Sequence, residues 1–140
     1  SHNFVVSNAK YVGDENATVY SYGENALGNT GRVDENTKGF SLGTHTADKA
    51  HWKGLSENPN VAKKSITKIN AEDARVDKQA DSLIEDTDYA AIGTSLGTGT
   101  NSNSAASAIA NTSQRSKVAV PGGARLSPGV GATDKIRFRE

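Results

Sequence analysis

The chain has no cysteine and no methionine among its 140 residues. Without cysteine there are no disulfides, no thiolate metal sites and no thiol catalysis, so a nucleophile here is a hydroxyl. The missing methionine leads us to expect a piece excised from a longer protein, a single domain over 1–140. Aromatic residues make up 6% and apolar residues 34%, so one core forms but a lean one. Gly, Ser, Thr, Asn and Ala fill the gap, a balance that borders on partial disorder. Neither sign of charge prevails: 16 basic and 16 acidic side chains give a formal net charge of zero. No field therefore steers nucleic acid or an anionic membrane toward the chain, which weighs against a nuclease without excluding one. No long apolar run or signal peptide is present, so the targeting signal of an exported parent would lie upstream.

The first part reads as β structure. Phe4-Val5-Val6 is a short apolar run, and Ala17-Thr18-Val19-Tyr20-Ser21-Tyr22 is β-branched and aromatic until Gly23 stops it. Gly13-Asp14-Glu15-Asn16 and Gly28-Asn29-Thr30-Gly31 read as turns. Residues 38–43 read as a third strand with Phe40 and Leu42 on one face, completing an antiparallel meander. The middle switches to helix. Asn58-Pro59 is a start signal, after which Ala62, Ile66, Ile69, Val76, Ala80 and Leu83 recur at helical spacing. Unbroken, that stripe spans about six turns. Asp73 interrupts it, which suggests burial against a polar partner, whereas Asp77 and Asp81 read as a solvated face beside Arg75 and Lys78. A glycine-rich run at 93–99 leads to a small-residue segment at 105–110 with helical potential. Pro121-Gly122-Gly123 and Pro128-Gly129-Val130-Gly131 then mark a loop, and Lys135-Ile136-Arg137-Phe138-Arg139 alternates like an edge strand. The order predicts an α+β domain: a small antiparallel sheet packed against one long amphipathic helix and a short helix.

Chemistry concentrates at Asn101-Ser102-Asn103-Ser104, where the glycine run feeds a helix start. Ser102 reads either as a nucleophile beside backbone amides or as part of a helix cap. Ser104 carries the same two readings, with a weaker functional case. Asn101 and Asn103 either orient a substrate carbonyl or an imidazole, or close a turn beside the glycines. His2 is a general base on the first strand or the residue of a cleaved tag. His45 and His51 are alternative bases, and His51 also reads as a packing pair with Trp52, the sole tryptophan, at the edge of the core. A metal site over His45, Asp48 and His51 is conceivable, but the spacing matches no standard zinc motif. No metal or other cofactor is implied. The glycine run lacks the Gly-Lys-Ser/Thr ending of a phosphate loop.

The early Ser1-His2-Asn3-Phe4-Val5-Val6 and the late Asn101-Ser102-Asn103-Ser104-Ala105 together resemble permuted papain-like domains, the NlpC-type amidase and lecithin:retinol acyltransferase-like group. That family places a histidine on an early strand and its nucleophile late, in a motif like Asn-Cys-Asn-Thr-Phe at a helix start. Ser102 falls where the motif carries Cys, and Ala105 where it carries an aromatic. The Asn-Ser-Asn-Ser phrase with its following Pro-Gly loop is also similar to C-terminal regions of secreted bacterial haemagglutinin-like and polymorphic-toxin proteins. The resemblance implies amide or ester cleavage, or acyl transfer. Ser102 would attack, His2 (before His45 or His51) would take the proton, and the Asn103 and Ser104 amides would hold the oxyanion. A helix N-terminus populates thiolate but cannot ionise a serine, so Ser102 requires a histidine nearby. Without one, the chain is a non-catalytic relative or one whose thiol was replaced.

The expected function is thus an effector or toxin-like hydrolase domain of a secreted or cell-surface bacterial protein. It would be delivered into a target cell as in contact-dependent inhibition and countered by a cognate immunity protein. The alternatives are a non-enzymatic surface or adhesin module, which the Gly/Ser/Thr/Asn composition favours, and an RNase toxin built on histidine and lysine.

Overall fold

A computed structural model of the chain describes residues 2–38, 42–90, 100–120 and 132–140. In its N-terminal part, strict alternation sorts side chains onto two faces. Strand β1 (Val5–Ser7) pairs antiparallel with β2 (Thr18–Tyr20), Val6 opposite Val19, and β3 (Tyr22–Glu24) pairs with β4 (Thr30–Arg32). These are two separate two-stranded ladders rather than the expected meander. Ser21 is the joint between them, its carbonyl accepting from the N–H of Val33 at 2.9 Å. Successive strand residues face opposite ways. Val5, Tyr20 and Tyr22 enter one apolar cluster, while Phe4, Val6 and Val19 enter another. His2 is in step with Phe4 and Val6, and Ser21 with Val19.

The turn at residues 13–16 forms as expected. Gly13 takes φ +83°, and the Asp14 carboxylate accepts the backbone N–H groups of Lys10 and Asn16. Those two bonds hold the Asp14 pKa below the ordinary value. Trp52 closes over this turn, donating Nε1–H to the Asp14 carbonyl at 2.9 Å. In the second hairpin the turn centres on Asn25 and Gly28, so Thr30 and Gly31 belong to β4. The expected strand through Phe40 lies partly outside the described residues, and Leu42 begins a helix instead.

The described residues contain four α-helices: α1 (Leu42–Gly54), α2 (Pro59–Ser65), α3 (Asp73–Ser82) and α4 (Ser102–Gln114). The domain is α+β. Helix α1 escapes sequence reading because its inward positions His45, Asp48 and Trp52 are mostly polar. The single long helix expected from residue 59 onward is two helices. The chain becomes extended at Ile66 (φ −110°, ψ 128°) and re-enters helix only after Glu72. Ile66, Thr67 and Ile69 are β-branched, and such residues resist helix. The break also divides the apolar stripe between two cores. Ala62 and Ile66 pack with Val19, Trp52 and Leu55, whereas Ile69, Val76, Ala80 and Leu83 pack on α4.

Two of the three aspartates, Asp73 and Asp77, differ from expectation, and Asp81 lies on a solvated face as expected. Asp73 is exposed in the first turn of α3. Asp77 is no solvated bystander: it accepts hydrogen bonds from Ser7, Asn8 and Tyr20 and ties β1 and β2 to α3. Asp81 is exposed and pairs with Arg32 at 3.1 Å. At the C-terminus, Ile136 and Phe138 face inward and Arg137 and Arg139 outward, as the alternation predicts. A strand does not develop, however. Residues 132–135 form a 3-10 turn, and one bridge, Leu83 to Phe138, joins the tail to the body. The 93–99 glycine run and both Pro-Gly loops lie outside the described residues.

Helix α4 occupies the centre, packed on α3, β1, β3 and β4. Ala105, Ala106, Ala108 and Ile109 are buried, and the small side chains of the three alanines let neighbouring backbones approach closely. Just before it, the buried Thr100 hydroxyl bonds to those of Thr30 and Thr87 at 2.7 and 2.8 Å. These bonds pin the start of α4 to β4.

Candidate functional site

The first turn of α4 is buried from Ser102 through Ala105, so its free amides need partners inside the protein. Asn101 supplies them. Its Oδ1 accepts from the N–H of Asn103 at 2.9 Å and of Ser104 at 3.2 Å, while Ser104 Oγ accepts from the Asn101 N–H at 3.2 Å. This is a reciprocal capping box with Asn101 as the cap. Of the two capping candidates, Ser or Asn, Asn101 is the cap, and its φ of −147° is extended rather than turn-like. Two expected oxyanion donors, the Asn103 and Ser104 amides, are occupied by the cap. The Ser102 N–H has no acceptor among the described residues.

Ser102 is the first helical residue and is 5% exposed. His2 Nδ1 lies 2.7 Å from its Oγ, and His2 Nε2 lies 2.7 Å from Asp48 Oδ2. His2 comes from the extended segment just before β1, rather than from the first strand itself, Asp48 from α1 and Ser102 from α4. The alternation that sends Phe4 and Val6 toward α1 sends His2 the same way. One residue on, the Asn3 N–H donates to Asn103 Oδ1 at 2.7 Å, locking the strand to the helix start. The side chain of His2 is 35% exposed and that of Asp48 only 5%. The imidazole thus faces solvent while its carboxylate partner does not.

Proton roles follow from the donor inventory. A carboxylate only accepts, so the ring proton belongs on Nε2, pointing at Asp48. Nδ1 then presents its lone pair to the Ser102 hydroxyl. The Ser21 hydroxyl donates to the same Asp48 oxygen. A hydroxyl, an imidazole and a buried carboxylate in series form the arrangement of an activated serine nucleophile.

The other histidines lie elsewhere. His45 is buried on α1 with Glu35 Oε2 3.0 Å from its Nε2, although neither ring nitrogen makes a well-aligned hydrogen bond among the described residues. His51 is exposed and meets the Phe4 ring edge-on at 6.1 Å between centroids. Neither replaces His2, and His45, Asp48 and His51 do not converge. Among the described residues no group of three or more His, Asp or Glu side chains is placed to hold a metal ion.

Sequence reading missed Asp48 as His2's partner, and Ser21 altogether. Asp48 had a legible signal: with His45 and Trp52 it falls on one face of a helix, and a carboxylate beside a lone tryptophan needs a buried partner. Ser21 had none beyond its parity with Val19. No family model, curated protein or solved structure matches this chain.

Proposed function

We propose that this domain cleaves amide or ester bonds, or transfers the acyl group, through Ser102, and that it serves as an effector or toxin module of a secreted bacterial protein. The observation that carries the reading is the continuous chain Ser102 Oγ, His2 Nδ1, His2 Nε2, Asp48 Oδ2, with 2.7 Å at both joints. It is the geometry that a serine needs, since the field of a helix N-terminus cannot ionise a hydroxyl.

In the reaction, Ser102 Oγ attacks the substrate carbonyl carbon as its proton passes to His2 Nδ1. The Ser102 N–H is the amide of this helix start left to serve the oxygen that becomes negative. The tetrahedral adduct collapses, the amine or alcohol leaves with the proton from Nδ1, and an acyl ester remains on Ser102. Water, or an acceptor nucleophile, then attacks the ester carbonyl as its proton passes to Nδ1, and the adduct collapses with the acyl group released and the proton returned from Nδ1 to Ser102 Oγ. Asp48 keeps Nδ1 unprotonated at the start and balances the imidazolium in between. The effector setting rests on the resemblance to secreted toxin regions, and it implies an immunity protein as partner.

The test has two arms. A fluorophosphonate probe should label the parent on Ser102 and leave Ser102→Ala and His2→Ala unlabelled. Inducible expression inside bacterial cells should arrest growth, and Ser102→Ala should abolish the arrest. Arrest that ignores Ser102 but needs a histidine would sink the serine reading in favour of another toxin chemistry. The absence of both labelling and arrest would favour the adhesin module.

A further inference from the structure

We propose that Ser21 is a positioning residue of this site, fixing Asp48 so that His2 presents an unprotonated Nδ1 to Ser102. Only the consequence for rate rests on the hydrolase reading. Ser21 is completely buried at the joint between the two ladders, and its hydroxyl donates to Asp48 Oδ2, the oxygen that also receives His2 Nε2. Strand alternation turns Ser21 toward α1 while Tyr20 and Tyr22 point into the core under α3 and α4. The bond from Val33 N–H to the Ser21 carbonyl holds the backbone there. The donor is therefore delivered by rigid backbone on both sides.

The geometry gives this hydroxyl a task. A carboxylate has two oxygens and rotates between them, and an imidazole accepts either tautomer. Asp48 held by His2 alone is free to turn, and the ring proton can then shift to Nδ1, where it blocks proton transfer from Ser102. With the Ser21 hydroxyl on Oδ2 as well, that oxygen is anchored from the sheet side and stays aimed at Nε2. A buried hydroxyl serving a buried carboxylate also avoids leaving either group unpaired.

The readout that separates positioning from packing is the ring proton of His2. In protein labelled with nitrogen-15 at histidine, the parent should show a slowly exchanging proton on Nε2 and an Nδ1 shift typical of an unprotonated acceptor. Ser21→Ala should keep the parent's amide spectrum, lose that slow ring proton and label Ser102 with fluorophosphonate about tenfold more slowly, close to the lower end of the effect of one hydrogen bond to a charged group. Ser21→Cys, near-isosteric but a poor donor, should fall between the two. It also decides the matter if the alanine variant does not fold. A Ser21→Ala or Ser21→Cys protein with the parent's ring proton and labelling rate would overturn the proposal. If the parent itself is never labelled, the hydrolase reading fails, and the ring-proton comparison still decides whether Ser21 positions Asp48.

Discussion

The backbone N–H of Asn3 donates to Oδ1 of Asn103 at 2.7 Å, joining residues a hundred positions apart. One residue before each partner stand His2 and Ser102, so this bond sets the distance between base and hydroxyl. Asn103→Ala leaves the Asn3 N–H without this acceptor and should cost about 1–2 kcal/mol of stability. Labelling of Ser102 should fall further than the stability loss explains. Asn103→Asp keeps an acceptor and adds a charge that a helix N-terminus favours, so it should lie nearer the parent. Thermal unfolding and labelling rates, measured on the same samples, check both halves.

Asn101 carries the cap of α4, and its loss exposes two buried amides at once. Asn101→Ala should lower stability by about 2 kcal/mol, at the upper end for caps because this helix start is buried. Asn101→Asp, which keeps the accepting oxygen, should be close to neutral. Urea unfolding followed by Trp52 fluorescence measures the difference, and equal losses in the two variants would show that the cap oxygen is not what matters.

Asp48→Asn preserves shape but reverses the hydrogen-bond logic, since a carboxamide donates as well as accepts. His2 would then favour the tautomer with its proton on Nδ1. Turnover, or the labelling rate of Ser102, should drop by about 10⁴-fold with little change in binding. A loss below tenfold would remove Asp48 from the proposed mechanism.

The link between Asp77 and Tyr20 predicts two pH limits to stability. Burial acts to raise the Asp77 pKa, but hydrogen bonds from Ser7, Asn8 and Tyr20 outweigh it and the pKa is lowered. Its contribution is therefore complete above the ordinary Asp range, about pH 4, and is lost as pH falls through the lower folded value. Tyr20 moves the other way: burial, then the Asp77 carboxylate, push it up to about 12. Its contribution is complete below about pH 10 and is lost as pH climbs toward 12. Asp77→Asn should flatten the acid limb of melting temperature against pH, and Tyr20→Phe the alkaline limb.

Gly13 and Gly28 both take positive φ, yet they should respond differently to alanine. At Gly13 (φ +83°) an added Cβ would lie 2.8 Å from Ser56 Cβ, whereas at Gly28 (φ +79°) its nearest neighbour is the flexible Glu24 carboxylate at 3.9 Å. Gly13→Ala should cost on the order of 3 kcal/mol, combining backbone strain with a clash. Gly28→Ala should cost about 1 kcal/mol from φ alone. Chemical denaturation of both variants tests the ranking.

Features whose causes are local can be read from the chain. Turn chemistry at Gly13-Asp14, alternation at Phe4-Val5-Val6 and at Ile136-Arg137-Phe138, the start of α2 at Pro59 and the helix opening at Asn101-Ser102 all follow from a few neighbouring residues. His2 and Ser102 could be named together only through a resemblance. The tertiary structure alone decided the rest. Whether the stripe from Ala62 to Leu83 ran straight or broke depended on two cores competing for its residues, and the break at Ile66 serves both. Whether Asn101 or Ser102 capped α4 depended on backbone angles. Asp48 and Ser21 have no chemical signature in the chain. Burial against each other and against His2 makes them parts of one site, and that burial exists only once α1, the β2–β3 joint and the N-terminal strand meet.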